Sequence, residues 1–218
     1  MHQGLMQKYR ALWHQRLFRN SFCLSIAAVI TGLIVNNFAI RFATEKMSNS
    51  VTDIVLSNIP ALPVNNLFIY GTFLAIIVSL VVAAHYPREI PFALNAVALF
   101  FIIRSIFVSL THLAPFTTHI ADDFGATINN AFFGGDLFFS GHTGLPFLAA
   151  LMLWHIPKLR YFYLAVSVFF GALVLLGHIH YSIDVASAFF ITYGIYHIAI
   201  WLFPKSYAWF RAEEARMQ

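Results

Sequence analysis

The sequence predicts an all-α protein: a six-helix transmembrane bundle with both termini in the cytosol. Of the 218 residues, 60% are hydrophobic and only 10% are charged, whereas soluble domains are about half apolar and a quarter charged. Six stretches are long and apolar enough to cross ~30 Å of hydrocarbon as helices. The composition excludes a disordered, collagenous or disulfide-stabilised protein and argues strongly against a water-soluble globule.

The six predicted spans divide the chain into three parts. The spans are Phe22–Ile40, Leu67–Ala84, Pro91–Leu113, Phe138–Ile156, Tyr161–Ile179 and Ser182–Phe203. Prolines directly follow the fourth and sixth spans, where they cannot continue a helix. We therefore expect a basic N-terminal segment (1–21), a membrane catalytic domain (22–203) and a C-terminal tail (204–218). The tail is either an amphipathic stretch on the membrane surface or a solvated segment.

Basic residues predict the orientation. With a cytosolic N-terminus, ten lysines and arginines lie in the cytosol: Lys8, Arg10, Arg16, Arg19, Arg88, Lys158, Arg160, Lys205, Arg211 and Arg216. Only Arg41 and Lys46 lie outside, which satisfies the positive-inside rule. The first apolar run is long and lacks a cleavage site, so we interpret it as an uncleaved anchor. The prediction is a multi-pass membrane protein whose active groups lie on the extracytoplasmic face. That face is the outer side of a bacterial inner membrane, or the lumenal side of a eukaryotic membrane.

Three ionisable residues share one predicted depth near that face: His142, His180 and Asp184. Such residues cost ~2.5–3.5 kcal/mol each within a span, so they indicate function. His180 and Asp184 are four residues apart and would share one face of a helix. A carboxylate there can hold one imidazole nitrogen and leave the other as a nucleophile or base.

The segment before His142 is rich in glycine, from Gly134 to Thr143. A glycine-rich entry into a helix offers backbone N–H groups and the positive end of the helix dipole to an anion. Ser140 would add a hydroxyl donor, and Gly141 would let a substrate approach the backbone. The alternative is an ordinary loop and helix cap.

Arg104 is the one lysine or arginine within the predicted spans. It precedes Thr111 by seven residues, which puts both on nearly the same helix face. Arg104 either binds a phosphate or pairs with an acid, for which Asp184 is a candidate.

Two motifs resemble the sphingomyelin synthase family, within the type-2 phosphatidic acid phosphatase superfamily. One runs from Gly135 to Thr143 (GDLFFSGHT) and the other from His178 to Val185 (HIHYSIDV). Arg104 with Thr111 matches a third motif more loosely. Pro60–Pro63 is similar to a proline-rich first motif, with Val64 in place of the usual aspartate.

The resemblance implies a role for each matching residue. His180 is the nucleophile that forms a phosphohistidine, Asp184 orients it, and His142 transfers protons to and from the lipid alcohols. The residues proposed to bind substrate are Arg104, Thr111, Asp136, Ser140, Gly141 and Tyr181. Specific roles are not assigned to Asp136, Tyr181 or His178.

The expected reaction moves a phospho-head group from a glycerophospholipid to a lipid alcohol. The acceptor would be ceramide or an alcohol that resembles diacylglycerol. The chain has no Arg-Pro dipeptide and no arginine in 173–176, where the wider superfamily places cations that hold a phosphomonoester. One alternative is a phospholipase C-type hydrolase or lipid phosphatase with the same site. Another is a non-catalytic membrane carrier or scaffold. We expect no cofactor and no nucleic-acid partner. A metal site is not expected either, since His178 and His180 would point to different helix faces.

Overall fold

The computed structural model describes residues 5–118 and 138–217. These ranges hold eight α-helices and no strand, which confirms the all-α class. The helices are α1 (Leu5–Trp13), α2 (Arg16–Glu45), α3 (Asn65–His85), α4 (Ile90–Leu110), α5 (Gly141–Met152), α6 (Pro157–Leu176), α7 (Ser182–Leu202) and α8 (Pro204–Met217).

Five helices in the described ranges are long and apolar enough to cross a membrane: α2, α3, α4, α6 and α7. The fourth predicted span, Phe138–Ile156, contains only α5, with 12 residues. That is about 18 Å of helix, too short for ~30 Å of hydrocarbon. Ser140 caps its start, and a turn over 153–156 precedes Pro157 at the first position of α6. Six full-length spans are therefore not confirmed.

Other helix boundaries move by a few residues from the predicted ones. Helix α2 begins at Arg16 and ends at Glu45, beyond both ends of the uncharged run. Helix α4 stops at Leu110, which leaves 111–113 outside it. Charged residues ended the predicted spans, but helical hydrogen bonding continues past them where side chains reach polar surroundings.

The core forms where α4, α5 and α7 pack together. Its fully buried members include Phe92, Phe100, Phe139, Leu148 and Ile195. Helix α2 runs along α4, and α5 also packs against α6. A second cluster joins α3 to α6 through Phe68 and Phe170. This arrangement brings the starts of α5 and α7 to one end of the bundle, here called the site end.

Helix α8 packs against the opposite end. Phe210 is 2% exposed and belongs to the same core as Phe92. Asn95 donates a hydrogen bond to the hydroxyl of Ser206 at 3.1 Å. The described part of the C-terminal tail is therefore a docked helix and not a wholly solvated segment.

Gly144 lies where α5 crosses α4 and α7. A Cβ added there would stand 2.8 Å from the Phe100 ring and 2.8 Å from Thr192 Oγ1. Because buried helix contacts cannot open without strain, we predict that Gly144→Ala destabilises the protein by about 1–3 kcal/mol. Thermal unfolding in detergent measures this change.

Gly194 supplies the matched control, since an added Cβ there has nothing within 4 Å. Gly194→Ala should leave the melting temperature unchanged or raise it slightly. Equal melting temperatures for Gly144→Ala and Gly194→Ala would contradict the packing described.

Candidate active site

A backbone hydrogen bond joins the starts of α5 and α7. The N–H of Ser140 donates to the carbonyl oxygen of Asp184 at 3.1 Å. The hydroxyl of Ser140 accepts from the N–H of Thr143 at 3.4 Å, so Ser140 is the N-cap of α5. His142 is the second residue of α5, and Asp184 lies in the first turn of α7. The predicted residues from two distant motifs therefore meet at the site end.

His180 and Asp184 form a buried pair. Nδ1 of His180 lies 3.5 Å from Oδ2 of Asp184, and their side chains are 5% and 0% exposed. The same carboxylate oxygen accepts from the N–H of Tyr181 at 2.9 Å. The shared helix face predicted for the pair is wrong, because His180 precedes the start of α7 at Ser182. Asp184 instead reaches back over the helix N-terminus, where a negative charge is favourable.

His142 stands two residues after Ser140, whose N–H binds the carbonyl of Asp184, so the backbone of His142 lies near the start of α7. Its ring packs against Phe68, with centroids 4.4 Å apart, and more distantly against Phe170 at 6.2 Å. Aromatic side chains from α3 and α6 therefore border His142.

Arg104 lies at the N-terminus of α5. Its side chain is buried, and Nε donates to the carbonyl oxygen of Phe139 at 3.0 Å. A Cβ added to Gly141 would stand 3.4 Å from that same Nε. The carboxylate of Asp184 contacts His180 and Tyr181 among the described residues, and it forms no ion pair there with Arg104.

Two other predicted residues have structural contacts. Thr111 is the C-cap of α4, and its hydroxyl donates to the carbonyl of Phe107 at 3.0 Å. The hydroxyl of Tyr181 accepts from the N–H of Val51 at 3.2 Å and donates to the carbonyl of Ala114 at 2.8 Å. Asp136 lies outside the described residues, as do Gly134 and Gly135.

His178 occupies a backbone position that usually belongs to glycine. Its φ is 52°, and the N–H groups of His178 and Ile179 close a Schellman motif on the carbonyls of Leu175 and Val174. The neighbouring Gly177 must itself be glycine, because a Cβ there would lie 2.6 Å from the side chain of Val64.

The side chain of His178 is also buried. Its Nδ1 is 2.5 Å from the hydroxyl of Thr118, a contact that ties the chain after α4 to the second motif. Within residues 5–118 and 138–217, Nε2 of His178 has no hydrogen-bond partner.

Sequence reasoning missed the residues that reach the site from other helices and loops. Phe68 carries no signal, since it is one of 24 phenylalanines. Asp53 belongs to neither histidine motif, yet its carboxylate accepts from the N–H of Ser182 at 2.7 Å. In the described part of the chain, no group of three or more histidines, cysteines or acids is placed to hold a metal ion.

A family comparison covers both halves of this site. The family described as PAP2 superfamily C-terminal matches residues 134–201, from the glycine-rich segment through most of α7. Over this stretch, about a third of its length, the chain is similar to the PAP2 superfamily, the type-2 phosphatidic acid phosphatases. No curated protein and no solved structure matches the chain. Members of that superfamily are typically phosphatases or phosphotransferases, so the likeness favours an enzyme of phosphate-group chemistry.

The Tyr181 hydroxyl yields a stability prediction. Tyr181→Phe removes the hydrogen bonds to Val51 and Ala114, so it should cost about 1 kcal/mol and lower the melting temperature by roughly 2–4 °C. Tyr70→Phe is the control, since Tyr70 is 70% exposed. Equal melting of the two variants would show that the Tyr181 contacts contribute nothing to stability.

Proposed function

We propose that the protein is a lipid phosphotransferase. It moves the phospho-head group of a glycerophospholipid to a lipid alcohol, such as ceramide, through a phosphohistidine. The observation that carries the proposal is the buried His180–Asp184 pair, joined through the carbonyl of Asp184 to the start of α5, where His142 lies. Covalent group transfer requires a nucleophile that a neighbouring group orients, and a separate group nearby that transfers protons.

The first half-reaction uses the free nitrogen of His180. With Nδ1 directed at Asp184, Nε2 keeps its lone pair and attacks phosphorus. The Nε2–P bond forms as the bond from phosphorus to the glycerol oxygen breaks. His142 gives its proton to that oxygen, so diacylglycerol leaves as a neutral alcohol. Asp184 stabilises the positive charge that develops on the His180 ring.

The second half-reaction reverses these steps with a different alcohol. His142, now without its proton, removes the proton from the acceptor hydroxyl, whose oxygen attacks phosphorus. The Nε2–P bond breaks, and the head group leaves on the acceptor lipid. One histidine serves as acid and then as base, because the second step is the first step run backwards.

Charge at the site favours a phosphodiester donor. Arg104 is the one lysine or arginine in the predicted spans, and its side chain lies at the α5 N-terminus. A phosphodiester carries one negative charge, whereas phosphatidate carries nearly two near neutral pH. An uncompensated second charge in a low-dielectric site would cost several kcal/mol.

Hydrolysis is the second candidate, and the PAP2 match favours it. Water would then replace the lipid alcohol in the second step, as in a phospholipase C or a lipid phosphatase. The two reactions differ in whether water reaches the phosphohistidine. The packing of Phe68 and Phe170 around His142 supports transfer, because it lines the site with apolar surface.

Product analysis separates the two reactions. Purified protein in liposomes receives labelled phosphatidylcholine or phosphatidylethanolamine, with and without ceramide, and mass spectrometry identifies the products. Transfer predicts a head-group-labelled sphingolipid that requires ceramide. A water-soluble phosphorylated head group released at the same rate with or without ceramide would identify a hydrolase.

Variants of the three site residues should differ in severity. His180→Ala should abolish turnover in a folded protein, because no other group takes the nucleophile's place. Asp184→Asn should keep a small fraction of activity, since the imidazole remains but is poorly oriented. His142→Ala should slow release of diacylglycerol. Initial rates in the liposome assay test this order, and near-normal activity of His180→Ala would contradict the assignment.

Donor charge gives a separate prediction. The protein should prefer phosphatidylethanolamine to phosphatidate in kcat/KM, measured in matched mixed micelles. Arg104→Leu should strongly lower kcat/KM, and Arg104→Lys should lower it less. The lysine keeps the positive charge but lacks the planar guanidinium group that can donate two hydrogen bonds to a phosphate. Faster turnover of phosphatidate would favour a lipid phosphatase.

A further inference from the structure

The loop between α2 and α3, residues 46–64, lies against the chain on both sides of His180. Before the histidine, the N–H of Leu62 donates to the carbonyl of Leu176 at 2.8 Å. After it, Asp53 Oδ2 accepts from the N–H of Ser182 at 2.7 Å. The loop is therefore attached to the end of α6 and to the start of α7.

Asp53 is a buried carboxylate that bridges two distant segments. Oδ1 accepts from the N–H groups of Val55 at 2.8 Å and Leu56 at 3.1 Å, while Oδ2 binds Ser182. Burial raises the pKa of Asp53, but the hydrogen bonds from Ser182, Leu56 and Val55 outweigh it and lower the pKa below its ordinary value. The carboxylate is therefore charged at neutral pH, although it is only 7% exposed.

We infer that Asp53 is a positioning residue, which fixes His180 through the backbone of Ser182. Ser182 is the first residue of α7 and stands two residues after His180. Asp184, which holds the His180 ring, belongs to the same helical turn. A shift of that turn would therefore misalign the nucleophile and its partner together. The consequence for turnover rests on the proposed function.

The bridge requires a carboxylate. Both oxygens of Asp53 face N–H donors, and an asparagine has only one acceptor oxygen. In Asp53→Asn, an NH₂ group must face either the N–H of Ser182 or the N–H groups of the loop. The negative charge also stabilises the N-terminus of α7.

Ser182→Pro tests the bond from the other side. Proline lacks the N–H that Asp53 accepts, yet it suits the first position of a helix. The preceding residue, Tyr181, has φ −70° and ψ 156°, the extended conformation that proline favours before it. Helix α7 should therefore remain while the link to Asp53 is lost. Ser182→Ala keeps the N–H and loses only the hydrogen bond from the Ser182 side chain to Asp53, so the difference between the two variants reports the backbone bond.

The kinetic test is a double-mutant cycle in the liposome assay. Asp53→Asn and Ser182→Pro should each lower kcat by about ten- to hundredfold, with an unchanged KM for the phospholipid donor. The double variant should be no slower than the slower single variant, because both remove one interaction. Ser182→Ala should fall between wild type and Ser182→Pro, and Glu45→Gln, an exposed carboxylate change, should match wild type. Wild-type kcat in either single variant, or multiplied losses in the double variant, would overturn the proposal.

A spectroscopic readout separates this proposal from the proposed function. The imidazole ¹⁵N signals of His180, assigned by their loss in His180→Ala, should shift in folded Asp53→Asn and Ser182→Pro but not in Glu45→Gln. If wild-type protein transfers no head group, the proposed function fails and these signals alone decide the role of Asp53. Unshifted His180 signals in folded Asp53→Asn would overturn the positioning role.

Discussion

The site depends on one constraint: the starts of α5 and α7 are joined at the same end of the bundle. The backbone bond from Ser140 to the carbonyl of Asp184 makes that joint. It brings a histidine of one motif to a histidine–aspartate pair 38 positions further on, from His142 to His180. A substitution that separated the starts of α5 and α7 would therefore move the site residues apart without changing any ionisable group.

The surroundings of this joint explain how charged groups persist among so many apolar residues. Burying an unpaired charge is expensive, so each described ionisable group at the site has an identified interaction. Arg104 donates to a carbonyl, Asp184 accepts from Tyr181 and faces His180, and Asp53 accepts three N–H groups. These contacts fix groups on both sides of the histidines, which suits chemistry that requires alignment of two reacting groups.

Much of this architecture could be predicted from the sequence because the signals are local. Long apolar runs located α2, α3, α4, α6 and α7 to within six residues, and the two histidine motifs contain groups that meet at the site end. The length of α5 could not be predicted, since apolar residues continue past its end at Met152. The predicted sixth span already began at Ser182, where α7 starts, but the spacing of four residues between His180 and Asp184 also fits a helix that His180 does not join.

Long-range contacts left no local signal. Phe68 reaches His142 from another helix, and Asp53 reaches Ser182 across 129 positions. No spacing rule connects residues so far apart. The positive φ of His178 was equally hidden, because glycine is the residue that usually takes this position in a Schellman motif.

The central claim is covalent transfer through His180, and trapping the intermediate tests it most directly. Protein turning over labelled phospholipid is quenched at alkaline pH, where a phosphohistidine survives, and its peptides are analysed by mass spectrometry. The account predicts the mass of the phospho-head group on His180, lost on acid treatment and absent from His180→Ala. Steady turnover with no adduct on His180, or an adduct on a different residue, would contradict it.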